Sequence, residues 1–91
     1  MWQLIWTEAF SRRCRKLLRR NRKLGDAVAA TLALLAEHPH DPRLKLHPLR
    51  GELEGLWAVR VTYSVRLILA LDEAKHEIVL LALGTHDEVY G

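Results

Sequence analysis

Five side chains in this sequence have the types and spacing for acid–base chemistry on an anion. The chain closes with Gly84-Thr85-His86-Asp87-Glu88-Val89-Tyr90-Gly91, directly after the apolar run Ile78-Val79-Leu80-Leu81-Ala82-Leu83. That run reads as a buried strand bounded by glycine, so the Gly-Thr-His step sets the His86 imidazole at a sheet edge with Tyr90 close behind. Imidazole gives or takes a proton near neutral pH, and a tyrosine hydroxyl does either job under more alkaline conditions. His47 follows Lys45-Leu46 and precedes Pro48 in a central loop. Arg60 and Arg66 lie on what reads as one hairpin, and a turn around Tyr63 makes them cross-strand neighbours on one face.

Like charges opposite each other destabilise a sheet, which favours an anion or carboxylate between the two arginines. The planar guanidinium donates two parallel hydrogen bonds to phosphate without losing its charge. The plainer reading is a pair of solvated strand arginines bridging to Glu52, Glu54 or Asp72. Cleavage of RNA by transphosphorylation needs a base for the 2′-hydroxyl, an acid for the 5′-oxygen and positive charge on the phosphorane. Two histidines and two arginines supply that inventory without metal. Taken singly, each histidine also reads as a loop or turn residue, and His38, His40 and His76 stay at that reading. The stretch His38-Pro39-His40-Asp41 gathers three potential ligands but lacks the spacing of recognised zinc patterns, so neither metal nor cofactor is assigned. Ser64 has no base partner at fixed spacing and Cys14 falls on an apolar helix face, so neither reads as a nucleophile.

The elements that must position these groups fit one domain, residues 1–91. Apolar residues make up 49% and charged residues 27%, an ordinary globular balance. The net charge of +3 hides an asymmetry: residues 1–50 hold eleven of the fourteen Lys/Arg and four of the eleven acids. A half this basic favours an anionic partner, whether RNA, DNA, an acidic protein or a lipid surface. A lone cysteine excludes an internal disulfide or zinc ribbon and suits a reducing, cytoplasmic setting. No apolar stretch approaches the ~18 residues of a spanning helix, which points away from a membrane. The opening Met1-Trp2-Gln3-Leu4-Ile5-Trp6 is too short and lacks the basic flank of a signal peptide.

Residues 2–6 alternate in part and predict a short first strand. Thr7-Glu8 reads as a helix start, with a capping hydroxyl and an acid in the first turn. Phe10, Cys14, Leu17 and Leu18 then mark one face of that helix. Gly25 predicts a break, and a second helix from about Asp26 buries Val28, Leu32 and Leu35 until His38-Pro39 ends it. Residues 39–55 contain all three prolines and two glycines and read as a long loop, of the kind that is usually functional or partly structured. Strands follow at Leu56–Thr62, Ser64–Leu71 and Glu77–Leu83. The order β-α-α-β-β-β predicts an α+β domain with an antiparallel sheet packed against two N-terminal helices.

The exposed side of the first helix and its sequel, Arg12 to Lys23, is densely basic. It fits phosphates held through counterion release, an acidic protein segment, or a simple solubilising face. Arg12, Arg13, Lys16, Arg19 and Arg20, with Lys45 in the loop, are the candidate RNA contacts.

Three segments together resemble the RelE/ParE superfamily of toxins. Leu46-His47-Pro48-Leu49-Arg50-Gly51-Glu52-Leu53-Glu54-Gly55-Leu56-Trp57 resembles the family's H-x-L-x-G-x-L-x-G-x-W segment, and Arg60-Val61-Thr62-Tyr63-Ser64-Val65-Arg66-Leu67-Ile68-Leu69 its R-x-x-x-D-x-R-L-I-Y hairpin. Leu83-Gly84-Thr85-His86-Asp87-Glu88-Val89-Tyr90 resembles the G-T-H-x-x-x-[YF] ending of the YafQ-like branch. The resemblance implies a toxin of a type II toxin–antitoxin pair with a compact β-α-α-β-β-β fold. It further implies metal-independent cleavage of mRNA, commonly in the ribosomal A site beside 16S rRNA, leaving a 2′,3′-cyclic phosphate. An antitoxin encoded beside the toxin would wrap it and block the site.

By position, His86 falls on the C-terminal acid–base residue, His47 on the loop histidine, Arg66 on the arginine at the scissile phosphate and Tyr90 on the terminal aromatic. Arg60 occupies a position where YafQ-like enzymes can carry a catalytic histidine. The sequence departs from the pattern at Ser64, where many relatives have an aspartate for proton transfer, and at Ala82, where some have an arginine. One rival reading is a ParE-like inhibitor of DNA gyrase, a branch that generally lacks the paired His47 and His86. Another is a toxin fold kept only for antitoxin or nucleic-acid binding.

Overall fold

Thr7 ends one element and begins the next. In the computed structural model, which describes residues 1–90, its hydroxyl donates to the Leu80 carbonyl at 2.7 Å and accepts from the Phe10 N–H at 3.2 Å. The first bond closes strand β1 (Gln3–Trp6) and the second caps helix α1 (Glu8–Leu18), as the Thr-Glu pair predicts. Helix α2 (Arg22–Glu37) starts earlier than Gly25 suggests, because the Asn21 side chain caps it by accepting from the Leu24 N–H at 3.0 Å. Gly25 therefore lies inside the first turns of α2, beside Leu18 of α1. The helix ends at His38-Pro39 as predicted, since the residue before proline cannot stay helical.

The long connection is partly structured. It holds 3-10 turns at Pro42–Leu44 and Gly51–Leu53, with a two-residue strand β2 (His47–Pro48) between them. Strands β3 (Trp57–Arg60), β4 (Val65–Asp72) and β5 (Glu77–Thr85) follow, and helix α3 (His86–Tyr90) completes the chain. The sheet order is β1-β5-β4-β3-β2. The α+β class with two N-terminal helices is as read from the sequence, but the sheet is mixed: β1 joins β5 in parallel and the other pairs are antiparallel. The α1–α2 hairpin crosses one face and delivers the chain to the far edge, so the meander returns to β1 running the same way.

Cross-strand partners share a face, which divides the sheet cleanly. Val59, Leu67 and Leu83 form one row and Leu69 and Leu80 belong to the next, all packed with Phe10, Cys14, Val28 and Leu35 in the core. Burial pushes the Cys14 thiol above its ordinary range, which keeps it protonated and unreactive. On the opposite face stand His47, Ala58, Ile68 and Ala82 in one row, and Arg60, Arg66 and Gly84 in the next. A β-bulge in β5 sets this parity. Ile68 pairs with Ala82 but Leu69 pairs with Leu80, leaving Leu81 as the extra residue. Were β5 to alternate regularly through Leu81, with no bulge, Gly84 would fall on the core face and Leu83 on the outer one.

Candidate active site

Arg60 and Arg66 are direct cross-strand partners, as the hairpin predicts. The bridges to Glu52, Glu54 or Asp72 do not form: among the described residues, neither guanidinium meets a carboxylate within 4.0 Å. Arg66 instead donates through one nitrogen to the Thr62 and Tyr63 carbonyls at 2.9 and 3.0 Å. It thereby closes the connection after Arg60 while keeping its full charge. Arg60 lies 5.6 Å from the centre of the exposed Tyr63 ring. Two cross-strand cations with no carboxylate partner among the described residues form a ready seat for a phosphate.

His47 reaches the same face through β2, opposite Ala58. Lys45 adopts a left-handed conformation (φ 52°) that swings its carbonyl to 2.8 Å from His47 Nδ1. A carbonyl only accepts, so Nδ1 carries the proton and Nε2 of the neutral ring is left with a free lone pair. The ring is exposed, so that lone pair is accessible to a substrate hydroxyl. This tautomer is the one a general base needs.

His86 opens α3 rather than dangling from a sheet edge. Its ring centre stands 4.4 Å from that of Tyr90, one helical turn on, and its Nδ1 lies 3.5 Å from Asp87. Helix α3 packs against β4 and β5. A Cβ on Gly84 would point at Glu88, 2.9 Å from its Oε1. Since Gly84 is the partner of Arg66, Glu88 and α3 lie over the arginine face. His86, Tyr90, Arg66, Arg60 and His47 thus gather on one side of the sheet. β2 and β5 are three strand spacings apart, roughly 14 Å, so the two histidines approach the arginine pair from opposite flanks.

The structure also shows what sequence reasoning missed. Thr85 and Glu88 form a capping box: the Thr85 N–H donates to Glu88 Oε1 at 2.8 Å and the Glu88 N–H donates to Thr85 Oγ1 at 3.3 Å. Its signal, Thr-x-x-Glu, stands in the sequence but is masked by the chemistry attached to His86. Arg13 belongs to the same assembly, donating through Nε to the Leu83 carbonyl at 3.0 Å and pairing with Glu88 at 2.5 Å. The Thr85 N–H and the Arg13 guanidinium hold the Glu88 carboxyl below its ordinary pKa.

The other cations face outward. Arg12, Lys16, Arg19 and Arg20 line a groove of about 650 Å³ on α1 with Arg15 and Leu17. Arg12 also stands 3.8 Å from Glu8 one turn back, an exposed pair worth little. Lys45 is exposed beside His47. Near the opposite end of the sheet, His40 pairs with Glu73 at 3.6 Å, and Asp41 is held by Arg43, which lowers its pKa to about 2. Among the described residues no three metal-ligating side chains come together.

Residues 2–91 match a family model described as the bacterial toxin of type II toxin–antitoxin systems, YafQ. No curated protein matches at a significant level. Among solved structures, YafQ from Escherichia coli superposes with a TM-score of 0.81 at 22% identity over 100% of both chains. The Escherichia coli DinJ–YafQ complex aligns at 0.80 and 22%, again over 100% of each chain. The Mycobacterium tuberculosis toxin–antitoxin complex RelBE2 aligns at 0.74 and 26%, over 93% of this chain and 98% of that one.

Proposed function

This chain belongs to the YafQ family of bacterial type II toxin–antitoxin toxins, and on that premise we propose that it is an endoribonuclease that cleaves mRNA on the ribosome and so arrests translation. Residues 1–91 act as one toxin domain in the cytoplasm, held silent by a cognate antitoxin as DinJ pairs with YafQ. No metal or cofactor enters the reaction. The observation that carries the reading is the Arg60–Arg66 couple, which has no carboxylate partner among the described residues, with His47 on the same sheet face and α3, which carries His86, packed against β4 and β5.

In this reading the couple seats the scissile phosphate. His47, with Nε2 free, takes the proton from the 2′-hydroxyl, whose oxygen attacks the adjacent phosphorus. Charge builds on the phosphorane oxygens, where the two guanidiniums are already in place and need no reorganisation. Protonated His86 gives its proton to the departing 5′-oxygen, leaving a 2′,3′-cyclic phosphate. Tyr90 holds the His86 ring and offers a face to a base. Serine at position 64 cannot exchange protons at neutral pH, so the histidines carry that work without a carboxylate there. Arg12, Lys16, Arg19, Arg20 and Lys45 hold ribosomal RNA through phosphate contacts that are blind to sequence.

Primer extension on a reporter mRNA after brief induction tests this reading, comparing wild type with His86→Ala. New cuts within translated codons that vanish in the variant support it. An intact message alongside growth arrest would move the target to gyrase or another protein.

A further inference from the structure

We propose that Glu88 and Arg13 form a positioning bridge that sets the orientation of the His86 and Tyr90 rings, so that α1 governs the geometry of the reacting end of the molecule. The inference rests on the nuclease reading for the role of His86, but its structural content does not.

Helix α3 is five residues long and has no fully buried side chain. A single turn cannot offset its own nucleation cost in water, so its placement depends on the groups that hold it. Four interactions converge on Glu88. Its Oε1 accepts from the Thr85 N–H, its Oε2 meets Arg13, its own N–H donates to Thr85 Oγ1, and its side chain fills the space over Gly84.

Arg13 is itself anchored. β1 pairs with β5 only as far as Leu80, so the Leu83 carbonyl lies beyond the end of β1 and accepts from Arg13 Nε. The guanidinium thus joins the open stretch of β5 to α3. Exposed ion pairs ordinarily add little to the stability of a fold. Here the pair matters because it orients a short element that carries two site residues, not because it stabilises the fold. Arg13 therefore parts company with Arg12 and Lys16, its neighbours in sequence: it is a positioning residue rather than a phosphate contact.

The test uses the purified full chain. His86 ring protons sit beside the Tyr90 ring, so their NMR shifts report the arrangement directly, and the His47 signals serve as a fold control. Glu88→Ala and Arg13→Ala should each move the His86 shift towards its free-histidine position while leaving His47 unchanged. Glu88→Gln keeps one oxygen for the Thr85 N–H but turns an amide NH2 towards Arg13, so it should retain the cap, lose the Arg13 contact and give a His86 shift between those of wild type and Glu88→Ala. In a cleavage assay on mRNA bound to translating ribosomes the alanine variants should lose about 100-fold in kcat, the scale of a small misplacement, with the salt dependence of binding intact. An unchanged His86 shift in both alanine variants would overturn the bridge. So would a raised KM with a salt slope reduced by about one in Arg13→Ala, the signature of a lost phosphate contact. A wild type that cuts no message would defeat the nuclease reading, and the shift measurement would still decide the bridge.

Discussion

Arg60 faces Arg66 across the β3–β4 ladder with no carboxylate paired to either guanidinium among the described residues. Opposed like charges cost a sheet about 0.2–1 kcal/mol. The contact of Arg60 with the exposed Tyr63 ring returns about 0.5–1 kcal/mol. The two terms nearly cancel, so stability does not explain why an arginine stands at this position.

Arg60→Gln separates the two roles. Thermal unfolding of the variant should shift by no more than about 4 °C, because the net change is a fraction of a kcal/mol. Cleavage of mRNA should fall by about 100-fold, the scale for removing one group that stabilises transition-state charge. A large Tm loss with unchanged cleavage would make Arg60 a structural residue.

The two histidines predict opposite pH limbs. A base must be unprotonated, so its limb fails as pH falls; an acid must be protonated, so its limb fails as pH rises. Cleavage by the wild type should therefore follow a bell. Among residual activities, His47→Ala should lose the acidic limb and His86→Ala the alkaline limb. Identical profiles in wild type and both variants would remove them from proton transfer.

Gly84 has the room of a glycine for a local reason. An added methyl would lie 2.9 Å from Glu88 Oε1 and 3.0 Å from its Cβ, and the carboxylate cannot swing away without releasing Arg13 and the Thr85 N–H. Gly84→Ala should lower stability by about 1 kcal/mol, a Tm loss of about 4–8 °C. It should also displace α3, reading out as a changed His86 NMR shift. Retention of both values would show that Glu88 is free to move.

Acid should detach α3 through Glu88. Its carboxyl is held below the ordinary 4.5 by the Thr85 N–H and by Arg13. A depressed folded-state pKa means the interaction is fully present above 4.5 and fades as pH falls through the lower folded value. The Tyr90 ring signals should show a transition below about pH 5, apart from any change contributed by the adjacent His86 ring. Glu88→Gln, with no charge to titrate, should lack that transition; the same acid transition in Glu88→Gln would assign it to another group.

Features written within a few residues of each other are legible in the amino-acid sequence itself. Thr7, a short-range cap, and His38-Pro39, a backbone restriction, bound α1 and α2 where expected because each acts on its own turn. The alternation around Tyr63 is enough to oppose Arg60 and Arg66, since hairpin register follows from local parity. The same kind of signal stands at Asn21 and at Thr85-x-x-Glu88, where a cap outweighs the neighbouring glycine or histidine that draws the eye first. What only the tertiary structure decides joins distant parts of the chain. Examples are β1 lying parallel to β5, Arg13 reaching the Leu83 carbonyl seventy residues away, and the Leu81 bulge that turns Gly84 towards the arginines. An apolar run such as Ile78–Leu83 carries no mark of a bulge, because each of its residues is acceptable on either face. Packing against Phe10 and Leu67 selects which of them enter the core, and that choice sets which face α3 and its histidine come to occupy.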